Sequence, residues 1–120
     1  MTVSVPLNPL CPEFTVCGQI SLSDVAKLAA QGYRSIVNNR PDGESGPGQP
    51  TSAQIEAEAK AHNLSYVYFP INNPMEAALQ AQAYQQACAA LPHPVVAFCR
   101  SGARATALYQ ACGCQVGCAS

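Results

Sequence analysis

Short apolar runs alternate with helix-like segments along the chain, and this alternation restricts the folds open to it more than any other feature. Strands that are separated by helices of roughly 10–15 residues predict a parallel sheet with right-handed crossovers. The apolar runs predict strands over residues 14–20, 33–38, 66–69 and 94–98. The intervening patterns predict helices over residues 21–31, 51–62, 75–91 and 104–112.

Sequence signals at the helix ends support these assignments. Ser21 is followed three residues later by Asp24, and Thr51 by Gln54, which are the spacings of capping boxes. Gly32 lies where a left-handed residue commonly ends a helix. We therefore expect the first two helices to begin directly after Ser21 and Thr51.

The chain has 120 residues, of which 48% are hydrophobic and 11% are charged. A chain of this length forms one domain on the usual size range of about 100–200 residues per domain. The expected fold is a single α/β domain over residues 1–120, with a mainly parallel four- to five-stranded sheet flanked by helices. Residues 1–12 and 113–120 are expected to be flexible ends.

The net charge of −1 gives no electrostatic reason to expect nucleic acid or an anionic membrane as a partner. No apolar segment approaches the roughly 20 residues that cross a bilayer, and the N-terminus lacks the basic start and apolar core of a signal peptide. We therefore expect a cytoplasmic protein with reduced thiols. The loop CRSGAR, described below, is the reason to expect a small anionic substrate. The sequence indicates no oligomeric state.

The seven cysteines are spaced irregularly, without a C-x-x-C pair, and neither histidine lies near a cysteine cluster. A zinc site built from paired cysteines and histidines is therefore not predicted, and no metal or other cofactor is expected. The tail ACGCQVGCAS holds Cys112, Cys114 and Cys118. The sequence favours incidental thiols there over a metal or redox site.

Polar loops follow three of the predicted strands, with the sequences NRPDGE, NNP and CRSGAR. The carboxyl ends of parallel strands meet at one edge of a sheet, and ligands of open α/β folds bind at that edge. We expect the functional site there. Its candidate supporting residues are Asn38, Asn39, Arg40, Asn72 and Asn73.

The loop CRSGAR places a cysteine, two arginines and a glycine between a strand and a helix. Amide groups at a helix start form an anion cradle, and a cysteine at its base has its thiolate stabilised. Cys99 is therefore the predicted nucleophile, and Arg104 supplies a planar fork for an oxyanion. The alternative, a core cysteine beside solvated arginines, fits this dense cluster less well. The predicted cradle also includes Arg100, Ser101, Gly102 and Ala103.

Three segments together resemble a known family. GQISLSDVAKLAAQGYRSIVNNRPDGE, YVYFPINN and VVAFCRSGARA are similar to the phosphatase-like domain of beta-lactamase hydrolase-like proteins, which resembles a reduced cysteine-dependent protein phosphatase. The resemblance covers roughly residues 14–108. It implies a cysteine-phosphatase-like α/β fold in which Cys99 is the nucleophile and Arg104 the oxyanion-binding arginine.

Departures from the phosphatase pattern bear on the chemistry. Four residues separate Cys99 from Arg104 where the phosphatase signature has five, and the shorter loop is similar to that of rhodanese-type sulfurtransferases. In phosphatases an aspartate in the loop after the third strand protonates the leaving group. This sequence has two asparagines in that loop instead. Asp42 and Glu44 are the candidate substitutes, and Asp42 is assigned to the catalytic group. Ala105 stands where phosphatases often have a hydroxyl residue.

Three functions are open on these residues. The first is a phosphate-ester hydrolase in which Cys99 forms a thiophosphoryl intermediate. The second is a rhodanese-like sulfurtransferase that carries a persulfide on Cys99, which needs no acid and suits the shorter loop. The third is a non-enzymatic redox or anion-binding module. Topology and resemblance favour the hydrolase.

Overall fold

The computed structural model describes residues 2–112, which form a five-stranded sheet with helices packed against it. The strands are β1 (Asn8–Cys11), β2 (Phe14–Cys17), β3 (Ser35–Asn38), β4 (Ser65–Tyr68) and β5 (Val95–Phe98). The helices are α1 (Leu22–Ala30), α2 (Ser52–Ala61), α3 (Ala77–Cys88) and α4 (Ala103–Ala111), with a 3₁₀ turn at Pro74–Glu76. The strand order is β1-β2-β5-β3-β4, and every pairing is parallel except that of β1 with β2. The predicted fold class is confirmed.

Alternate residues of the central strands face two separate apolar cores. In β3, Ile36 belongs to the core that includes residues of α1 and α2, whereas Val37 belongs to the core that includes residues of α3 and α4. In β5, Val96 and Val95 divide in the same way. Strands buried on both faces are typical of parallel sheets covered by helices. This packing leaves the carboxyl-terminal edge of the sheet as the place where polar loops gather.

Both predicted capping boxes are present. The Ser21 side chain accepts the Asp24 amide, and the Asp24 carboxylate accepts the Ser21 amide. Thr51 and Gln54 pair in the same way at the start of α2. These reciprocal bonds satisfy amide donors that a helix start leaves without partners, so α1 and α2 begin where the sequence predicts.

Two predicted elements differ most from those of the structure, and most of the others are one or two residues shorter than predicted. The strand predicted over 14–20 ends at Cys17, because the chain turns at Gly18 and the Gln19 amide bonds to the Arg100 carbonyl. The helix predicted over 75–91 is divided into the 3₁₀ turn and α3. The Asn73 side chain caps that turn and Pro74 occupies its first position, which explains the separate start.

The N-terminal segment contains a strand that the sequence does not predict. β1 lies within residues 1–12, which are expected to be a flexible end, and its Pro9 is consistent with an edge strand. Cys11 is disulfide-bonded, so the expectation of reduced thiols throughout is wrong for this cysteine. Residues 113–120, with Cys114 and Cys118, lie outside the described residues. Within residues 2–112, no helix is both long and apolar enough to cross a membrane.

Asp24 ties the N-terminal segment to α1, and this tether gives a stability prediction. Its buried carboxylate accepts the Ser4 amide at 2.9 Å and the Ser4 hydroxyl at 2.6 Å, besides the Ser21 amide at 2.8 Å. We expect Asp24→Ala to lower the free energy of unfolding by about 1–3 kcal/mol in urea titrations, because it removes a helix cap and the hydrogen bonds that the buried carboxylate accepts from Ser4 and Ser21. The control Glu56→Ala, at an exposed surface pair with Lys60, should change it by less than about 1 kcal/mol.

The same measurement has an expected pH dependence. Burial works to raise the pKa of Asp24, but the hydrogen bonds from Ser21 and Ser4 outweigh it, so this pKa lies below its ordinary value of 3.8. When the pKa of a carboxyl group is lower in the folded state than in the unfolded state, its ionised form stabilises the fold at pH values above the ordinary pKa. That stabilisation is lost as the pH falls below the ordinary pKa. The stability difference between wild type and Asp24→Ala should therefore shrink below pH 3.8. A difference that stays constant into strong acid would contradict this role.

Candidate functional site

The carboxyl ends of β2, β5 and β3 lie side by side, and backbone hydrogen bonds join the segments that follow them. The Cys99 amide donates to the Cys17 carbonyl at 3.4 Å, and the Asn39 amide donates to the Phe98 carbonyl at 2.8 Å. We call residues 99–104, between β5 and α4, the cysteine loop. Because β5 lies between β2 and β3 in the sheet, the base of this loop is held from both sides.

One amide of the cysteine loop binds the Cys99 side chain, and several others have no protein acceptor in the described part of the chain. The Gly102 amide donates to Cys99 Sγ at 3.0 Å, and Gly102 has a φ of +96°, which glycine adopts without strain. Among residues 2–112, four other amides at this turn donate to no protein acceptor: those of Arg100, Ser101, Arg104 and Ala105. Free amides at a helix start favour an anion. The loop can therefore cradle a thiolate and a bound oxyanion.

Arg104 is held by Glu44 and the Ile71 carbonyl, and it has further donors close to Cys99. Its Nη1 donates to Glu44 Oε2 at 2.7 Å and to the Ile71 carbonyl at 3.0 Å, and its Nη2 donates to Glu44 Oε1 at 2.8 Å. A guanidinium has five N–H groups, so the Nε–H and the second Nη2–H are left. These two lie side by side on one edge, which is the arrangement that binds two oxygens of an oxyanion. Hydrogen bonding to Glu44, and the nearby Cys99, raise the pKa of Arg104.

Glu44 lies between two guanidinium groups, and we call Arg40, Glu44 and Arg104 the arginine clamp. Arg40 Nε donates to Glu44 Oε1 at 2.9 Å, and Arg40 Nη1 donates to Gln19 Oε1 at 2.9 Å. Arg40 Nη2 donates to the Ser45 hydroxyl. The side chains of Arg40 and Arg104 are only 5% and 9% exposed, whereas that of Glu44 is 28% exposed. The clamp therefore links the ends of β2 and β3 to α4.

The clamp settles the protonation state of Glu44. Its hydrogen bonds with Arg104 and then Arg40 lower the pKa of Glu44 to about 2, against the opposing effect of burial. Glu44 is therefore ionised at neutral pH and has no proton to give to a leaving group. The expectation that Glu44 could replace the missing general acid is wrong for this reason.

Asp42 and Asn38 bind groups of α2, of β4 and of the loop after β3. The Asp42 carboxylate accepts the Ser52 amide at 2.7 Å. Asn38 accepts the Arg40 amide at 2.9 Å and donates to the Tyr66 hydroxyl at 3.1 Å. The bonds described for these two side chains do not reach the cysteine loop, and a catalytic role for Asp42 stays a prediction.

The loop after β4 is attached to the site mainly by its backbone. Asn39 Nδ2 donates to the Phe69 carbonyl at 2.9 Å, and the Ile71 carbonyl accepts from Arg104. Asn73 accepts the Glu76 amide at 3.2 Å and so caps the 3₁₀ turn, while Asn72 is exposed. This loop therefore supplies a carbonyl to the site, and no described side-chain bond joins Asn72 or Asn73 to the cysteine loop.

Gly18 and Gln19 belong to the site although the sequence analysis assigned them no role. A Cβ on Gly18 would lie 2.9 Å from the Arg100 carbonyl, and the Gln19 amide donates to that same carbonyl at 3.2 Å. The Gln19 side chain holds Arg40. Gly18 and Gln19 thus position the cysteine loop through their backbone. The Gln19 side chain positions the arginine clamp.

A cavity of about 800 Å³ lies beside the cysteine loop. Its lining includes Cys17, Gln19, Arg100 and Gly102, together with residues of α4 and of the N-terminal segment. Cys99 does not line it, and the Cys99 side chain is fully buried. The cavity therefore borders the outer side of the loop. Among residues 2–112, no group of three or more His, Cys, Asp or Glu side chains could hold a metal ion.

The sequence matches the family model described as beta-lactamase hydrolase-like protein, phosphatase-like domain, over residues 6–116. The chain belongs to this family. Curated relatives include the beta-lactamase hydrolase-like proteins of Agrobacterium fabrum, 41% identical over 95 residues, and Xylella fastidiosa, 37% identical over 94 residues. These matches cover 79% and 78% of this chain but 22% of each relative, so the phosphatase-like domain spans under a quarter of those proteins.

Solved structures are similar to the phosphatase-like domain over most of its length. A Neisseria meningitidis protein assigned as a phosphatase has a TM-score of 0.74 at 24% identity, covering 85% of this chain and 72% of that one. Tk-PTP in its active form has a TM-score of 0.58 at 12% identity, covering 95% and 87%. At these identities the comparisons establish the fold, which is that of cysteine phosphatases.

The close approach at Gly18 gives a prediction about anion binding. We expect Gly18→Ala to weaken the binding of inorganic phosphate about tenfold in calorimetric titrations, because the added Cβ displaces the Arg100 carbonyl by an amount costing ~1–3 kcal/mol. Gly48→Ala is the matched control, since nothing lies within 4 Å of its Cβ. Equal phosphate affinity in both variants would show that the loop does not depend on Gly18.

Proposed function

We propose that the domain hydrolyses phosphate esters by nucleophilic attack of Cys99 on phosphorus. The observation that carries the proposal is the position of Arg104 beside Cys99: its guanidinium keeps two donors beyond its bonds to Glu44 and Ile71, and the Cys99 Sγ already accepts an amide. A phosphoryl group bound there would meet the free amides of the cysteine loop with its oxygens. Preorganised donors of this kind stabilise the charge that develops in the transition state.

The reaction would proceed in two displacements. The Cys99 thiolate forms an S–P bond while the bond from phosphorus to the leaving-group oxygen breaks, and the leaving group takes the electron pair. Water then attacks phosphorus, the S–P bond breaks, and inorganic phosphate and the thiolate are released. Arg104 and the loop amides bind the same non-bridging oxygens in both steps.

The described residues favour substrates that need no protonation of the leaving group. Glu44 is ionised, and the Asp42 carboxylate accepts the Ser52 amide at the start of α2. A positioned general acid contributes roughly 10²–10⁴-fold to such reactions. The proposed substrates are therefore small esters with good leaving groups, such as aryl phosphates.

Sulfur transfer is the second candidate, and the cysteine loop itself favours it. Four residues between Cys99 and Arg104 enclose a smaller cradle than five, and the transfer of a sulfane sulfur needs no general acid. In this reaction the Cys99 thiolate takes the outer sulfur of thiosulfate, sulfite leaves, and a thiol or cyanide then removes the sulfur from the persulfide. Arg100 and Arg104 would hold the anionic donor.

One experiment separates the two candidates. Wild type and Cys99→Ser are each given an aryl phosphate, and separately thiosulfate with cyanide, and the intact mass of rapidly quenched protein is measured. The proposal expects aryl phosphate turnover and a phosphate adduct on Cys99, with turnover lost in Cys99→Ser. Extra sulfur on Cys99 with thiocyanate formation would favour sulfur transfer. Neither adduct nor turnover would leave an anion-binding module.

Glu44 and Asp42 are distinguished by their pH profiles on an aryl phosphate. With a pKa of about 2, Glu44 does not titrate between pH 5 and 8. We expect Glu44→Gln to lower kcat/KM by about tenfold or more at every pH in this range, because the clamp no longer fixes Arg104.

An acid role for Asp42 has a different signature. If Asp42 protonates the leaving group, Asp42→Asn abolishes the basic limb of the kcat profile and slows poor leaving groups most. Glu56→Gln, at an exposed side chain of α2, is the control for charge removal.

The positioning role of Glu44 also has a contradicting outcome. If kcat/KM of Glu44→Gln falls only above a titration midpoint near neutral pH, that role is overturned.

A further inference from the structure

The Tyr66 hydroxyl is linked to the arginine clamp by hydrogen bonds, although Tyr66 has no part in the reaction steps described above. Tyr66 lies in β4, an edge strand that pairs in parallel with β3. Its hydroxyl accepts Asn38 Nδ2 at 3.1 Å and shares a hydrogen bond with Ser52 Oγ at 2.7 Å. One hydroxyl thus joins the end of β3 to the start of α2.

Asn38 carries the position of this hydroxyl into the loop after β3. Asn38 is 2% exposed, and its Oδ1 accepts the Arg40 amide at 2.9 Å. An asparagine side-chain oxygen that accepts the amide two residues later closes a turn. The amide group of Asn38 is therefore held at both ends, by Arg40 at its oxygen and by Tyr66 at its nitrogen. Without the hydroxyl, that nitrogen would lose its described acceptor, and the turn would be held from one side only.

The turn that Asn38 closes sets where Arg40 enters the clamp. Arg40 is 4% exposed, and its Nε donates to Glu44 Oε1 at 2.9 Å. Glu44 in turn accepts hydrogen bonds from Arg104 at 2.7 and 2.8 Å. Side chains packed in contact transmit a shift to one another, because the interior of a protein has few voids that absorb it. A displaced Arg40 therefore displaces Glu44 and, through it, the guanidinium of Arg104.

We propose that Tyr66 is a positioning residue of the phosphoryl site, whose hydroxyl fixes the direction of the Arg104 guanidinium through Asn38 and the clamp. Tyr66 acts through these contacts and not on the substrate itself. Burial raises the pKa of Tyr66 above its ordinary value of 10.0, against the opposite effect of the hydrogen bonds with Ser52 and Asn38. The hydroxyl therefore keeps its proton at neutral pH. The inference rests on Arg104 being the oxyanion-binding group of the proposed function.

Tyr33 provides a matched comparison in the same fold. Its hydroxyl donates to Thr15 Oγ1 at 2.9 Å. Thr15 is the second residue of β2, and Tyr33 precedes β3, so this bond lies toward the amino-terminal ends of these strands. The cysteine loop follows the carboxyl-terminal end of β5. Loss of the Tyr33 hydroxyl therefore removes a side-chain hydrogen bond without touching the loops of the site.

The test removes one hydroxyl at a time and compares stability with activity. Melting temperatures of Tyr66→Phe and Tyr33→Phe report the effect on the fold, and kcat/KM with an aryl phosphate reports the effect on the site. We expect Tyr66→Phe to lower kcat/KM about three- to tenfold, because Arg104 loses part of its alignment. Tyr33→Phe should lower it by less than about twofold, even if its melting temperature falls as far.

A double-mutant cycle shows whether Tyr66 acts through the clamp. Glu44→Gln already releases Arg104, so adding Tyr66→Phe to it should change kcat/KM by less than about twofold. Asn38→Ala breaks the same path with Tyr66 intact. It should cost at least as much as Tyr66→Phe, and the two substitutions together should cost no more than Asn38→Ala alone.

Several outcomes would overturn the positioning role. They are an unchanged kcat/KM in folded Tyr66→Phe, equal losses in Tyr66→Phe and Tyr33→Phe, or losses that multiply when Tyr66→Phe is combined with Glu44→Gln. If Tyr66→Phe does not fold, Asn38→Ala decides, and an unchanged kcat/KM in that variant would overturn the role as well.

Calorimetric titration of the same variants with inorganic phosphate separates this proposal from the proposed function. Suppose that no variant turns over an aryl phosphate, yet Tyr66→Phe binds phosphate more weakly and Glu44→Gln cancels the difference. That result would refute the hydrolase and keep the positioning role. Wild-type turnover that is unchanged in Tyr66→Phe would refute the positioning role and keep the hydrolase. A wild type with neither turnover nor phosphate binding would refute both.

Discussion

The carboxylate of Glu44 between two buried guanidinium groups is the interaction on which the rest of the site depends. Without it, Arg40 and Arg104 would be two positive charges side by side with little solvent to screen them, and burying unpaired charge is costly. With it, one face of Arg104 is occupied and its remaining N–H groups have a fixed direction. The loop after β3, which carries Glu44, is thus a structural part of the cradle that α4 begins.

That dependence explains why the sequence predicts the cysteine loop as a candidate site but does not predict its support. Cys99, Gly102 and Arg104 are neighbours in one loop, so their chemistry can be read from adjacent letters. Glu44 and Arg104 are 60 positions apart, and their pairing requires the register of three strands and the path of two loops. Because Glu44 is an acidic residue near the predicted active site, the sequence suggests it as a proton donor. Its contacts with the two arginines of the clamp reverse that interpretation.

The fold was more accessible to sequence reasoning than the site, because its signals are local. The capping boxes at Ser21 and Thr51 and the apolar runs of the central strands lie within single segments. β1 was not predicted because its NPLC sequence has no alternation of polar and apolar residues and contains a proline. It forms a strand because it pairs with β2, and that pairing cannot be recognised from its own sequence. Asn73 likewise follows a strand as a site residue would, yet its oxygen caps the 3₁₀ turn, a use that depends on where the next helix begins.

The complete burial of the Cys99 side chain has a consequence for selectivity. A side chain without solvent contact can be reached by a ligand only when the loops around it separate, and two of those loops are joined by the ion pair between Glu44 and Arg104. A compact oxyanion needs a small separation, whereas a bulky group needs the clamp itself to open. If Cys99 is the nucleophile, we therefore expect the domain to select its ligands by size, with the carboxylate–guanidinium contact setting the limit.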